Sequence, residues 1–221
     1  CADLANCAGD TGILLSQLSD NGIYFETKAA YGKDVVTAFI QLNGATVGAV
    51  ANRSEIYGED GTVNEKMDGT LSARGAKKAA DFVNFCDAFC IPVLTITNVT
   101  GFKATKCSER TMAKNAAALT AAFANATVPK VNVVVGKAYG SAYVVMNSKS
   151  IGADMVFAWP NAEIGMMDAS MAAKIMYPGS EASVINEKAA EYRELQSSVE
   201  SAAARGYVDT VIAPADTRKY V

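Results

Sequence analysis

One short segment, residues 131–144, constrains the fold of this chain more than any other part of its sequence. The apolar, β-branched run at 131–135 predicts a buried strand, and the small residues around Gly140, Ser141 and Ala142 predict a turn into a helix. The first N–H groups of a helix lack partners within it, and the positive end of the helix dipole lies beside them. The turn therefore predicts a site for a developing negative charge, such as a carbonyl oxygen that becomes an enolate.

The composition narrows the chemistry further, because the chain has no histidine. Oriented backbone amides are therefore a better candidate for catalysis than an imidazole. The 221 residues, 50% hydrophobic and 19% charged, suffice for one large domain with its own core. A net charge of −3 without a basic stripe argues against nucleic-acid binding. The apolar runs are short and interrupted, and Cys1 opens a segment without a charged or long apolar region, so neither a membrane span nor a signal peptide is expected.

The chain has five cysteines, an odd number at low density, which favours a reducing cytoplasmic location. Cys86 and Cys90 would share one face of a helix, but without histidine or a second suitably spaced pair a zinc site lacks ligands. We expect ordinary buried thiols and no metal. Met166 and Met167 are expected in the core, and Asp154 and Glu163 are expected to have structural or supporting roles.

Hydrophobic periodicity predicts a hairpin followed by alternating strands and helices. The expected helices are 2–19, 73–89, 109–125, 140–148 and 183–205; the expected strands are 35–42, 46–50, 92–99, 130–135, 154–159 and 160–167. Asn43-Gly44 is a strong hairpin signal, and the polar stretch 54–70 is an exposed loop or small hairpin. This order predicts an α/β domain with parallel strand pairing and external helices.

Several segments, in order along most of the chain, resemble the carboxyltransferase subunit of biotin-dependent acyl-CoA carboxylases and decarboxylases, specifically its C-terminal half. The matching segments are 35–38, 82–89, 99–102, 126–131, 137–143, 152–154, 158–160, 205–209 and 211–218. Propionyl-CoA carboxylases and methylmalonyl-CoA decarboxylases are the members most similar in these segments. The resemblance implies a crotonase-like (ClpP/crotonase) superhelix of ββα units.

The resemblance also implies an activity and its partners. Residues 1–221 would form the biotin-side domain, with the CoA-side N-terminal domain absent from this chain. Together they would transfer a carboxyl group between a 2-carboxyacyl-CoA, such as methylmalonyl-CoA, and biotin on a carboxyl carrier protein or domain. A homo-oligomer is expected, and the chain alone is expected to be inactive. The direction of transfer is not fixed, although the decarboxylases are favoured.

In this family two oxyanion holes face each other, one for the thioester enolate and one for the ureido oxygen of biotin. By resemblance, the N–H groups of Phe102, Ser141 and Ala142 would form the biotin-side hole. Gly101 and Gly140 would permit the turns, and Val144 would contact the acyl group. The chain departs from many members at Thr100, where proline is common, and at Ser141, where glycine is common; both changes retain the amides needed for the hole.

Two other functions remain open from the sequence. One is a crotonase-type acyl-CoA hydratase or hydrolase that does not use biotin, although no acidic pair can be placed for it. The other is a non-catalytic assembly module of a carboxyltransferase complex.

Overall fold

A mixed β-sheet forms the centre of the molecule, seen in a computed structural model that describes residues 4–58 and 60–221. The strands are β1 (Tyr24–Thr27), β2 (Val35–Leu42), β3 (Ala45–Asn52), β4 (Glu55–Tyr57), β5 (Val63–Lys66), β6 (Val93–Val99), β7 (Lys130–Tyr139), β8 (Met155–Ala158), β9 (Glu163–Gly165) and β10 (Thr210–Val211). Within the described residues the sheet order is β1-β2-β3-β6-β7-β8-β10, β9 pairs with β7, and β4 and β5 form a separate hairpin. Neighbouring strands in the series β3-β6-β7-β8-β10 pair in parallel, and so do β7 and β9. β2 pairs antiparallel with β1 and with β3.

Helices cover the two faces of this sheet. They are α1 (Thr11–Leu18), α2 (Ala73–Ala88), α3 (Lys106–Glu109), α4 (Met112–Asn125), α5 (Gly140–Val144), α6 (Ala169–Met176), α7 (Ala182–Tyr192), α8 (Val199–Ala204) and α9 (Thr217–Tyr220). A π-helical turn at Arg193–Ser197 joins α7 to the short stretch before α8. None of the helices in the described ranges is long and apolar enough to cross a membrane.

The hairpin predicted at Asn43-Gly44 is confirmed. β2 and β3 pair along their whole lengths, and the two turn residues have φ angles of 51° and 80°. Two successive positive φ angles are what a two-residue hairpin turn requires.

The alternation of side chains along the strands divides the core into two layers. Along β2, Val35 packs on the side of α2 and α4, whereas Val36, Ala38 and Ile40 pack on the side of α1. This follows from the two-residue period of a strand. Both faces of the sheet are apolar, as expected for a sheet that helices cover on both sides.

The helix predicted at 2–19 is wrong in its first half. A 3₁₀ turn at Leu4–Cys7 precedes a break, and α1 begins only at Thr11. Asp10 caps α1 through a hydrogen bond from the Gly12 N–H, and the Gly9 carbonyl accepts the N–H groups of Ser54 and Glu55. Residues 1–3 of the predicted helix lie outside the described residues.

Two other predicted helices are interrupted, and several elements were missed. The stretch predicted at 183–205 divides into α7, the π-helical turn and α8, because Ser198 is extended and caps α8. The stretch predicted at 109–125 is α4, preceded by α3. The prediction also lacked α6, α9 and the two edge strands β1 and β10. Cys86 is buried as predicted, whereas Cys90 lies beyond α2 and is exposed.

Candidate active site

Two neighbouring parallel strands bring the predicted site residues together. Gly101 and Phe102 follow β6, and α5 follows β7, so both turns lie at the same edge of the sheet. They line one open cavity of about 460 Å³. The predicted residues that line it are Gly101, Phe102, Gly140, Ser141 and Ala142.

A bulge in β7 sets the position of this turn relative to β6. Thr97 pairs with Val134 and Val99 with Ala138, so β7 contains two more residues than β6 over this interval. Asn98 fills the bulge, since its Oδ1 accepts the Lys137 N–H at 3.0 Å. A Cβ atom at Gly136 would lie 2.7 Å from that oxygen, so the bulge requires glycine there. The strand therefore continues through the glycine where the sequence predicted its end.

Backbone donors are available on both sides of the cavity. Gly140 has a φ of 59°, which turns the chain out of β7 and into α5. Among the described residues, no side chain caps the first turn of α5 and the Phe102 N–H has no acceptor. The helix predicted at 140–148 ends at Val144. These donors are the kind of group that stabilises a developing oxyanion.

One ion pair lies at the rim of the cavity. Lys137 Nζ is 3.9 Å from Asp168 Oδ2, and the lysine side chain is half exposed. Asp168 Oδ1 already accepts the N–H groups of Ser170 and Met171, at 3.0 and 3.3 Å, as the N-cap of α6. The Asp168 carboxylate is thus engaged in capping and in a pair with Lys137.

A buried tyrosine precedes the turn. Tyr139 is 2% exposed, and its hydroxyl group donates to Glu163 Oε2. Glu163 Oε1 is 3.1 Å from Arg193 Nε in the π-helical turn. Burial, followed by the hydrogen bond to Glu163, raises the pKa of Tyr139 well above its ordinary value. Each carboxylate oxygen of Glu163 thus has one partner, Tyr139 or Arg193, in line with the supporting role expected for this residue.

Several cavity residues were not predicted. Met166 was expected in the core, but it is 77% exposed and lines the cavity with Met167, Asp168 and Met171. These residues lie at the cavity because β9 pairs with the end of β7, beyond the part of β7 that pairs with β8. The only sequence signal for them was their position at the end of the strand predicted at 160–167 or shortly after it.

Val144 is not among the residues lining this cavity. It is the last residue of α5 and is partly buried, and its carbonyl accepts the Ser148 hydroxyl at 2.9 Å. Its contact with an acyl group stays a prediction. In the described ranges, no group of three or more cysteine, aspartate or glutamate residues could hold a metal ion.

Comparison with known proteins places this geometry in a family. The carboxyl transferase domain matches residues 4–221. A propionyl-CoA carboxylase beta chain from Roseobacter denitrificans is 40% identical over 99% of this chain and 42% of its own length. The methylmalonyl-CoA carboxyltransferase 12S subunit of Propionibacterium freudenreichii subsp. shermanii is 39% identical over 96% of this chain and 40% of its own length.

A solved structure agrees with the sequence relatives. The crystal structure of a transcarboxylase 12S, described as a hexamer assembly with methylmalonyl-coenzyme A and methylmalonic acid bound, superimposes with a TM-score of 0.87 at 40% identity. The match covers 96% of this chain and 40% of that one, so the chain spans about two fifths of the length of these relatives. The predicted crotonase-like α/β fold is confirmed, and the chain belongs to the carboxyl transferase domain family.

Proposed function

We propose that this chain is the biotin-side domain of an acyl-CoA carboxyltransferase. It would act in the transfer of a carboxyl group between a 2-carboxyacyl-CoA, such as methylmalonyl-CoA, and biotin attached to a carrier. The observation that carries the proposal is the cavity in which the amides of Phe102, Ser141 and Ala142 lie at one sheet edge.

The cavity offers the hydrogen-bond donors and the apolar wall that the ureido group of biotin needs. A ureido oxygen needs donors without competing acceptors, and the Phe102 N–H has no acceptor among the described residues. The first turn of α5 supplies the other donors, and Met166, Met167 and Met171 give the wall an adaptable apolar surface. When bound, biotin supplies a ureido nitrogen that carries the carboxyl group between sites.

The chain's own residues would perform two tasks in this reaction. The amides of Phe102, Ser141 and Ala142 would hold an oxygen as negative charge develops on it, which stabilises that charge without a side-chain base. The methionines and Tyr139 would pack against the bound group and displace water from that side of it, which strengthens such hydrogen bonds.

A biotin-independent hydratase or hydrolase is less well supported. Such an enzyme commonly uses a carboxylate as acid or base, and Asp168 is the one carboxylate on the wall of this cavity in the described residues. Both of its oxygens already have partners, because one caps α6 and the other pairs with Lys137. Asp168 is therefore not poised as a free base.

The relatives are longer than the part that this chain matches, and we propose further components of the enzyme. A second domain for the CoA thioester, a biotin carboxyl carrier protein and further copies of the same subunit would complete the enzyme, which we place in the cytoplasm. Acting alone, the chain would have no measurable turnover, because it would supply only the biotin side of the transfer. Robust decarboxylation of malonyl-CoA or methylmalonyl-CoA by the isolated chain would contradict this.

The amide of Ala142 offers the sharpest test, in the intact native protein that contains this chain. Ala142→Pro removes one donor, because proline has no N–H, and losing one oxyanion donor typically lowers the rate by roughly 10²–10³. The assay measures transfer of the carboxyl group from methylmalonyl-CoA to free biotin. Binding of acyl-CoA should change little, since that site is expected in the other domain.

Two control variants separate the lost donor from other effects of proline. Ser141→Gly restores the common family residue, keeps the amide and should be tolerated. Ala182→Pro removes a first-turn N–H from the exposed start of α7, outside the cavity, and should transfer at the parent rate. Circular dichroism must show that each variant keeps its fold. A folded Ala142→Pro enzyme working at the parent rate would refute the backbone assignment, and a parent enzyme unable to use biotin would favour the hydratase or hydrolase.

A further inference from the structure

We infer that Tyr139, Glu163 and Arg193 form a series of contacts that fixes the position of the turn at residues 140–142 relative to Phe102. The inference rests on the proposed function for its catalytic consequence, but the positioning itself can be measured separately. All three residues act through the backbone of the turn rather than on the reacting atoms.

The chain of contacts is continuous and links three separate elements. The Tyr139 hydroxyl donates to Glu163 Oε2 on β9, and Glu163 Oε1 pairs at 3.1 Å with Arg193 Nε in the π-helical turn. Tyr139 is also the last residue of β7 and immediately precedes Gly140. The Tyr139 side chain therefore ties the residue immediately before the turn to β9.

The backbone of β9, which carries Glu163, is also held closely by its neighbours. Glu163 pairs with Lys137 on one side and forms a bridge with Ser198 on the other. A Cβ atom at Gly165 would lie 2.8 Å from Ser197 Oγ, so the π-helical turn packs directly on β9. Movement of Arg193–Ser197 would thus be transmitted to β9 and from there to Tyr139.

Charge balance gives the arrangement a second consequence. An unpaired Glu163 carboxylate, in contact with the Tyr139 side chain that lines the cavity, would oppose negative charge developing there. The Arg193 guanidinium and the Tyr139 hydroxyl both compensate the Glu163 carboxylate. Removing Arg193 alone should therefore be more harmful than removing Arg193 and the Glu163 charge together.

The test compares Tyr139→Phe, Glu163→Gln, Arg193→Gln and the double variant Arg193→Gln with Glu163→Gln in the intact native protein. Amide hydrogen exchange is measured over residues 137–148, and kcat and KM are measured for transfer from methylmalonyl-CoA to free biotin. Loss of a hydrogen bond to a charged group should accelerate exchange in this segment and lower kcat by about tenfold or more, with an unchanged KM for acyl-CoA. The double variant should transfer faster than Arg193→Gln alone.

Two matched controls distinguish positioning from general loss of structure. Tyr143→Phe removes the hydroxyl of a second buried tyrosine on the same segment, which has no partner among the described residues. Glu191→Gln removes an ion pair with Lys188 at the surface of α7. Both controls should match the parent in exchange and in kcat.

Each outcome decides the inference. Parent-like exchange over residues 137–148 in Tyr139→Phe and Glu163→Gln would overturn it, as would equal acceleration in Tyr143→Phe. If the parent does not transfer carboxyl groups to biotin, the proposed function fails, and the exchange comparison still decides whether the three residues hold the turn.

Discussion

Gly140 packs against the carbonyl oxygen of Met166, so that a Cβ atom at Gly140 would lie 3.1 Å from that oxygen. This contact joins the turn after β7 to the residue after β9, and both residues line the candidate active site. The φ of 59° at Gly140 adds a second reason for glycine at this position. The site is thus built where two chain segments approach so closely that a larger residue at Gly140 would have to displace its neighbour.

Gly140→Ala should destabilise the protein and reduce carboxyl transfer. A left-handed conformation costs a non-glycine residue about 1–2 kcal/mol, and the new methyl group must also displace Met166 or the turn. Gly44→Ala is the matched control, because Gly44 has a φ of 80° but a Cβ atom added there would meet nothing within 4 Å. Urea unfolding should show a larger loss for Gly140→Ala than for Gly44→Ala, and only Gly140→Ala should slow transfer. Equal losses would mean that the Met166 contact is unimportant.

The parts of the fold that local pattern determines could be predicted from the sequence. β2, the Asn43-Gly44 turn and α2 were placed within a few residues, because strand alternation, a two-residue turn signal and helical periodicity act locally. The helix predicted at 2–19 failed in its first half because the Gly9 carbonyl accepts from Ser54 and Glu55, which are distant in sequence. α6 was missed since much of its apolar surface is exposed, including Met171 and Ile175.

The site was predictable only where the family resemblance supplied it. Phe102 and Ala142 were named from matching segments, and the parallel pairing of β6 and β7 brings their turns to one edge. The wall formed by Met166 and Asp168 depends on β9 crossing beyond β8, which no periodicity reveals. The partner of Tyr139 lies 24 residues further along the chain, so the pair was invisible until the strands were in place.

The hydroxyl group of Thr217 ties the C-terminal turn to the core. Trp159 is fully buried, its Nε1 donates to Thr217 Oγ1 at 2.9 Å, and that hydroxyl donates to the Pro214 carbonyl at 2.7 Å. Thr217→Val keeps the shape but leaves the indole N–H without its acceptor, which should lower the free energy of unfolding by about 1–3 kcal/mol. Thr217→Ser keeps the hydroxyl and should lose less. Urea unfolding measures both, and a valine variant as stable as the parent would show that the indole finds another partner.

The cysteines should differ sharply in reactivity. Burial raises the pKa of the Cys86 thiol to about 12, whereas Cys90 and Cys107 are exposed. Because the thiolate is the nucleophile, iodoacetamide at pH 8 should label Cys90 and Cys107 and spare Cys86 in the folded protein. Mass spectrometry of peptides measures the labelling, and the urea-unfolded protein provides the control in which Cys86 also reacts. Labelling of Cys86 at the rate of Cys107 without urea would mean that α2 opens readily.

Lys78 lies within α2, and its side chain is completely buried. Its Nζ donates to the Val35 carbonyl at 2.7 Å and lies 3.8 Å from Glu26 Oε1, which also pairs with Arg53 at 3.2 Å. Burial lowers the pKa of Lys78 from 10.5 to about 8, although the nearby Glu26 carboxylate opposes part of this effect.

The sign of the pH effect follows from proton binding. Between the folded pKa of about 8 and the ordinary value of 10.5, the unfolded chain binds a proton at Lys78 that the folded protein does not. This group therefore makes the free energy of unfolding rise with pH in that interval and contributes no slope well below it. Lys78→Met should remove this rise, measured by urea unfolding at several pH values from 7 to 10. Lys77→Met is the matched control, because the exposed Lys77 has its pKa raised by its hydrogen bond with Asp81 and should leave the rise in place. Identical pH slopes for Lys78→Met and the parent would show that Lys78 stays charged throughout the interval.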